Sequence, residues 1–479
     1  MRLVNILLIA TIMLTAAIGL ADETDPYLWL EEVEGAKALE WAKERSAADT
    51  AELEAVPEYA EIHERLLEIY NSSDRIPYPN VLGEWAYNFW QDPDHVRGIW
   101  RRTKIDQYLT GDPQWETVLD LDELATAEDE NWVWKGARGF YPDYERFLIT
   151  LSRGGGDASV TREFNGVTKE FVADGFIVPE AKAQVGWMDE NTVWIGTDFG
   201  EGTLTESGYP RLVKTWTRGT ALEEAVLVFE GAVEDVSVSG YSMHTPEGRY
   251  DFVSKTPEFF RGTTYIIRDG ELVKIDIPED ADMQGVFKEQ MLVSLRTDWA
   301  VGGTTYPADA FLAIGLDDFL AGGREFELLF QPEERISMGR TASTRNYLMI
   351  TTMDNVRSKL YQYSFADGKW AHEEVELPGL GSAGVFGTTD DNDNYFMNYT
   401  DFMTPSSLYY TANGEATKLV QSAPEFFDAA GMTVDQYEAK SADGTMIPYF
   451  IFMPKDFKAD GKNPTMLYGY GGFEISMRP

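Results

Sequence analysis

The period of the apolar positions changes twice along the chain. From Val33 to about Leu53 good helix formers dominate, with apolar positions at Leu39, Trp41 and Ala42. After Pro57, the stretch E-Y-A-E-I-H-E-R-L-L-E-I-Y repeats Ile62, Leu66 and Ile69 at helical spacing. Two helices are predicted. His63 rides on the second and reads as a partly exposed helix residue.

From about Ile76 the helical period gives way to short alternating strands punctuated by Gly, Pro and Asx turns. One theme returns seven times: E-W-A-Y-N-F-W-Q near 84, R-F-L-I-T-L-S-R near 146, T-V-W-I-G-T-D-F near 192, Y-D-F-V-S-K-T near 250, M-L-V-S-L-R-T-D near 291, Y-L-M-I-T-T-M-D near 347 and N-Y-F-M-N-Y-T-D near 394. The spacing is roughly 45–60 residues, with short strands between, as in a β-propeller. A seven-bladed propeller is predicted over residues 76–428. Radial closure suits such a chain because it leaves few free sheet edges.

Near Ala429 the pattern changes again. Q-Y-E-A-K-S-A-D-G-T-M-I-P-Y-F-I-F-M-P-K reads as a strand, a turn at Asp443-Gly444 and a second strand. A polar loop, K-A-D-G-K-N, leads to an apolar run (Met466, Leu467, Tyr468) and the glycine-rich G-Y-G-G-F. At the other end, one arginine, an apolar run from Leu3 to Leu20 and small residues before an acidic stretch form a signal peptide, residues 1–21, with cleavage expected after Ala21. The run approaches membrane-span length, so an uncleaved anchor is the alternative. A periplasmic or secreted protein is expected, without stable membrane association once the signal is removed.

Composition sharpens this picture in three places. Aromatic residues make up 13% of the chain, 13 of them Trp, which suits pleated, half-buried surfaces. The net charge is -41 with no basic stripe, which argues against a nucleic-acid partner, since phosphate contacts need clustered Lys and Arg. There is no cysteine, so disulfides, zinc–thiolate sites and thiol catalysis are excluded.

The motifs that could carry chemistry mostly dissolve in context. G-x-S-x-G does not occur. Ser242 and His244, in G-Y-S-M-H-T, read as strand residues with no orienting carboxylate implied. H-E-E-V-E at His372 lacks the second histidine of a zinc helix. G-L-G-S-A-G at Gly379 matches a dinucleotide pattern, but Pro378 precedes it and a strand follows where a helix is required. D-D-N-D-N at Asp390 lacks the glycine and distal glutamate of a calcium loop and reads as a hydrated turn. R-G-G-G-D at Arg153 reads as a hairpin turn. No metal or cofactor is expected.

Three stretches remain. D-P-Y-L-W-L-E-E (Asp25 to Glu32), S-A-D-G-T-M-I-P (Ser441 to Pro448) and N-P-T-M-L-Y-G-Y-G-G-F (Asn463 to Phe473) resemble, in order, motifs of the prolyl oligopeptidase family of serine peptidases. The resemblance covers most of the chain. It implies a mainly β protein: N-terminal helices over 22–75, a seven-bladed propeller, and the start of an α/β-hydrolase domain over 429–479, incomplete here. It implies that Tyr470 donates its hydroxyl to the oxyanion of the tetrahedral intermediate, with Gly471 and Gly472 letting the backbone turn close to substrate. Phe473 would line the apolar pocket for a proline ring. The family's nucleophilic serine, aspartate and histidine follow this motif, and no residue of the 479 can be assigned to them. The implied reaction, hydrolysis of short peptides after proline by a monomer, therefore belongs to a complete protein, and the chain alone is expected to be inactive. The strands of 429–479 are expected to lack partners. Cleavage after basic residues or removal of acylated N-terminal residues stays open as a related activity. The alternative class is a secreted, non-catalytic propeller that binds peptides.

Overall fold

The computed structural model describes residues 25–32, 34–471 and 477–479. The expected signal peptide lies outside the described residues. The chain divides into two compact units at Ser72–Ser73.

The first unit holds two helices, α1 (Ala36–Glu54) and α2 (Tyr59–Tyr70). Trp29 meets Trp41 edge-on, with ring centroids 6.3 Å apart, and Lys37 caps the Trp29 face at 3.9 Å. Leu39, Ile62 and Leu66 are exposed, and His63 is an exposed residue stacked on Tyr59.

The second unit contains seven antiparallel sheets in sequence, the seven blades of a propeller. The first begins at Asn80 and the last ends at Ser422. Blades 1 and 3 to 7 are four-stranded, and blade 2 gains a fifth strand. Blade 5 carries an inserted hairpin, Trp299–Val301 with Thr304–Tyr306, between its second and third strands.

Each of the seven recurrent segments is the second strand of its blade: Trp85–Trp90, Arg146–Arg153, Thr192–Gly196, Gly248–Glu258, Gln290–Ser294, Tyr347–Asp354 and Tyr395–Thr400. The reason is two-sided burial. Successive side chains of a strand point to opposite faces, and in stacked blades both faces are covered. Phe147 and Ile149 pack toward blade 1, whereas Leu148 between them packs toward blade 3. Val193 and Ile195 face blade 2 while Trp194 faces blade 4. Tyr395 and Met397 face blade 6 while Phe396 faces blade 1. The core is thus seven apolar layers, one per blade junction, rather than one central mass.

The junctions also carry buried polar clamps. Glu163 of blade 2 is fully buried and takes both terminal nitrogens of Arg218 of blade 3, at 2.7 and 3.0 Å. The Glu163 carboxylate also accepts the backbone N–H of Phe176 at 3.0 Å. Because every blade comes from one continuous stretch, no strand among the described residues is exchanged between blades 7 and 1. That seam is closed by Ala86, Tyr108, Phe396 and Leu408, and by the Tyr78 hydroxyl donating to Asn398 Oδ1 at 2.9 Å.

Candidate functional site

Successive turns of an up-and-down blade fall on opposite ends of the ring. The ends differ in chemistry, and each carries part of the candidate site.

At the end bearing the turns between second and third strands, a hairpin docks on the propeller. Its strands, Thr433–Lys440 and Met446–Met453, pair antiparallel throughout. They are joined through Asp443, which accepts from the Thr445 amide at 3.0 Å, and Gly444, whose positive φ suits glycine. Gln436 Nε2 donates to the Asn355 carbonyl of blade 6 at 3.0 Å, and Glu438 pairs with Arg335. Phe402 of blade 7 packs on Phe450 and Phe452, with centroids at 4.8 and 4.5 Å. A cavity of about 310 Å³ lies between, lined by Arg335, Met353, Asn355, Glu438, Met446 and Pro448. Part of 429–479 therefore finds partners, against expectation, because the hairpin satisfies its own ladder and borrows an apolar wall from blade 7.

Beyond the hairpin the chain runs without regular structure from Asn463 to Gly471. The apolar run Met466–Tyr468 forms no strand, since it has no neighbouring strand among the described residues. Met466, Leu467 and Tyr468 are exposed, and Tyr470 is half exposed. A β-carbon at Gly471 would meet nothing within 4 Å. Gly472 and Phe473 lie outside the described residues. Among the described residues, Tyr470 is brought against no other candidate beyond its chain neighbour Gly471.

At the opposite end, turns between first and second strands converge on the mouth of the central channel. Tyr141 of blade 2 stacks on His244 of blade 4, with centroids 5.0 Å apart and rings 26° from parallel. The contact reaches past blade 3, so it narrows the mouth. Burial, and then the Arg249 charge, hold the His244 imidazole below its usual range, while Asp251 opposes them. Burial raises Asp390 of blade 7, helped by Asp391 and Glu247 and opposed by Arg345. Burial and the Asp390 charge push the Tyr144 phenol up to about 12.

The motifs set aside from sequence have structural work. Ser242 accepts the Trp194 indole N–H at 2.9 Å and donates to Asp251 at 2.6 Å, so it is no partner of His244. His372 stacks on Tyr363 at 4.7 Å. Gly379 and Gly381 join blades 6 and 7, where β-carbons would stand 2.5 and 2.8 Å from the Tyr399 hydroxyl. In D-D-N-D-N, Asp393 clamps blade 6 by accepting from Thr344 Oγ1 (2.9 Å), the Asn346 amide (2.7 Å) and Asn346 Nδ2 (2.8 Å). Tyr141, Arg345 and Asp390 at the mouth were not singled out from sequence as a group. Their shared position in first-to-second-strand turns is the signal that would have found them.

The chain matches the family described as prolyl oligopeptidase, N-terminal beta-propeller domain, over residues 21–268 and 313–422. The unmatched interval contains the inserted hairpin of blade 5. It is 36% identical over 470 residues to an uncharacterized peptidase, y4nA, of Sinorhizobium fredii, covering 96% of this chain and 65% of that protein. It is 30% identical over 469 residues to uncharacterized peptidase RP174 of Rickettsia prowazekii, covering 94% of this chain and 65% of that one. Among solved structures, a post-proline cleaving enzyme from Rickettsia typhi superposes with a TM-score of 0.88 at 30% identity, over 93% of this chain and 67% of that chain. The chain thus spans about two thirds of the length of the relatives it matches. The matched blades, the docked hairpin and these likenesses together place the chain in the prolyl oligopeptidase family of peptidases.

Proposed function

We propose that this chain is the propeller-bearing portion of an exported serine peptidase that hydrolyses short peptides on the carboxyl side of proline, as a monomer. The observation that carries the reading is the hairpin around S-A-D-G-T. It is docked on blades 6 and 7 and followed by L-Y-G-Y-G-G-F. In the complete peptidase Tyr470 would donate its phenolic O–H to the oxygen that becomes negative as the carbonyl is attacked. A donor aimed at developing charge lowers the barrier because it binds the transition state more tightly than the ground state. Gly471 and Gly472 would leave room for the substrate backbone, and Phe473 would face the proline ring. Attack by serine, with histidine as base and aspartate orienting it, would be supplied by residues other than these 479. The apolar run Leu3–Leu20 supports export to the periplasm or medium.

The propeller would act as a filter. A ring narrowed by the Tyr141–His244 stack opposes passage of folded chains and favours short, flexible ones. The reading is tested with matched fluorogenic peptides bearing proline, arginine or an acylated first residue at the cleavage position. Turnover by the complete peptidase should be fastest after proline and abolished by a serine-directed inhibitor. Preference for arginine would replace the proline reading with the related basic specificity. Saturable peptide binding without any turnover would favour the non-catalytic binding module.

A further inference from the structure

At the seam between blades 7 and 1, guanidinium and indole groups alternate. Arg75 lies over the Trp90 ring at 4.7 Å, Arg101 over the same ring at 4.4 Å, and Arg101 over Trp115 at 4.3 Å. Trp90 closes the second strand of blade 1, Arg101 stands near the start of the third, and Trp115 precedes the fourth. Trp90, at the turn joining second to third strand, lies toward the end of the ring where the hairpin docks, and Trp115, before the fourth strand, lies toward the other.

Arg101 is fixed but not used up. Its Nε donates to Asn88 Oδ1 at 3.2 Å, and the guanidinium lies over both indole rings, Trp90 and Trp115. Neither terminal nitrogen bonds to a described residue, and neither is sealed from solvent. Asp92, close enough to be felt, is spent elsewhere. It accepts the Trp90 indole N–H (3.0 Å), the backbone amides of Asp94 (3.0 Å) and His95 (2.8 Å), and pairs with His95 Nδ1 (2.9 Å). Burial, with the like charge of Arg75, brings the Arg101 guanidinium down to about 10, against the pull of Asp92. In a chain with 81 acidic and 40 basic residues, a half-buried arginine beside a second arginine and without a bonded carboxylate is an unfilled acceptor position.

We propose that Arg101, reinforced by Arg75 and walled by Trp90 and Trp115, binds the free C-terminal carboxylate of a peptide. A planar guanidinium fork offers two parallel N–H donors, the geometry a carboxylate takes. The flanking indoles offer apolar contact to the residues just before that carboxylate. A net charge of -41 repels polyanions, so a single carboxylate is the anion that fits. The assignment of a peptide as ligand rests on the peptidase reading above.

The test is calorimetric titration of the 479-residue chain at low ionic strength with four hexapeptides. They are proline-containing and proline-free, each as free acid and as C-terminal amide. The free acids should bind about tenfold more tightly than the amides. Arg101→Gln should erase that difference while the circular-dichroism melt stays cooperative. If that variant does not fold, Arg75→Gln serves, and should shrink the acid preference severalfold. Equal binding of acid and amide, survival of the preference in the folded Arg101 variant, or no peptide binding up to millimolar concentration overturns the proposal. An acid preference that ignores proline keeps this site and tells against the proline reading. Proline preference without acid preference does the reverse.

Discussion

Trp194 of blade 3 lies so close over Gly240 of blade 4 that a β-carbon there would stand 2.3 Å from Trp194 Cε3 and 2.7 Å from Val213 Cγ1. The indole is fully buried and its N–H reaches Ser242 two residues further along the same strand of blade 4. A large side chain and a missing one are matched across a blade junction. Gly240→Ala should therefore destabilise the propeller by about 1–3 kcal/mol through overpacking. Chemical denaturation checks this, with an unchanged slope and a lower midpoint expected.

The Glu163–Arg218 clamp predicts a different signature. Glu163→Leu leaves Arg218 without its buried carboxylate and should cost about 3 kcal/mol. Replacing both, as Glu163→Leu with Arg218→Met, should recover most of that loss, because paired charges in a core gain little over well-packed apolar groups. A double-mutant cycle measured by urea unfolding reads the coupling directly.

Two histidines should pull stability in opposite directions with pH. His95 is raised, chiefly by its hydrogen bond to Asp92, against its partial burial. Its contribution is full below about pH 6.5, the unfolded value, and is lost as pH rises through the higher folded value. His244 is lowered, chiefly by burial and then by Arg249, with Asp251 opposing and Tyr141 stacked against the ring. Its contribution is full above about pH 6.5 and is lost as pH falls toward the lower folded value. His95→Gln should therefore make stability rise more steeply with pH across this window. His244→Gln should make it fall more steeply. Midpoints of unfolding between pH 5 and pH 8, compared among the three proteins, give the two signs.

How much of this was legible beforehand follows from burial. The seven second strands announced themselves because both of their faces are covered, so their apolar residues run almost unbroken, as in Phe147-Leu148-Ile149. Outer strands such as Lys369–Val375, with exposed Lys369, Glu373 and Glu374, carry a weaker pattern and gave only approximate blade limits. The turn at Asp443-Gly444 was readable because its residue types fix its geometry. The docking of that hairpin was not, since Gln436, Glu438 and Phe450 meet partners on blades 6 and 7 at least 48 residues away, the separation of Phe402 and Phe450 being the shortest. The apolar run Met466–Tyr468 forms no strand for the converse reason. Apolar composition makes a strand possible, but a ladder needs a neighbour. The mouth residues Tyr141, His244 and Asp390 come from three blades, and local pattern carries no information about which turns face one another across a ring.

The reading of Tyr470 as an oxyanion donor makes a kinetic prediction for the complete peptidase. Tyr470→Phe removes one hydroxyl and leaves the ring, so substrate binding should change little. The chemical step should slow by about 10²–10³, the usual cost of losing one such donor. A fall in kcat with nearly constant KM supports the role, whereas a rise in KM alone would mark Tyr470 as a binding residue.

The most direct measurement is the ratio of kcat/KM for a proline peptide to that for its arginine twin, determined on the complete peptidase and on its Tyr470→Phe variant. A ratio well above one in the parent, with turnover of both peptides collapsing together in the variant, is the predicted result. A ratio at or below one, or a variant as fast as its parent, would contradict the account.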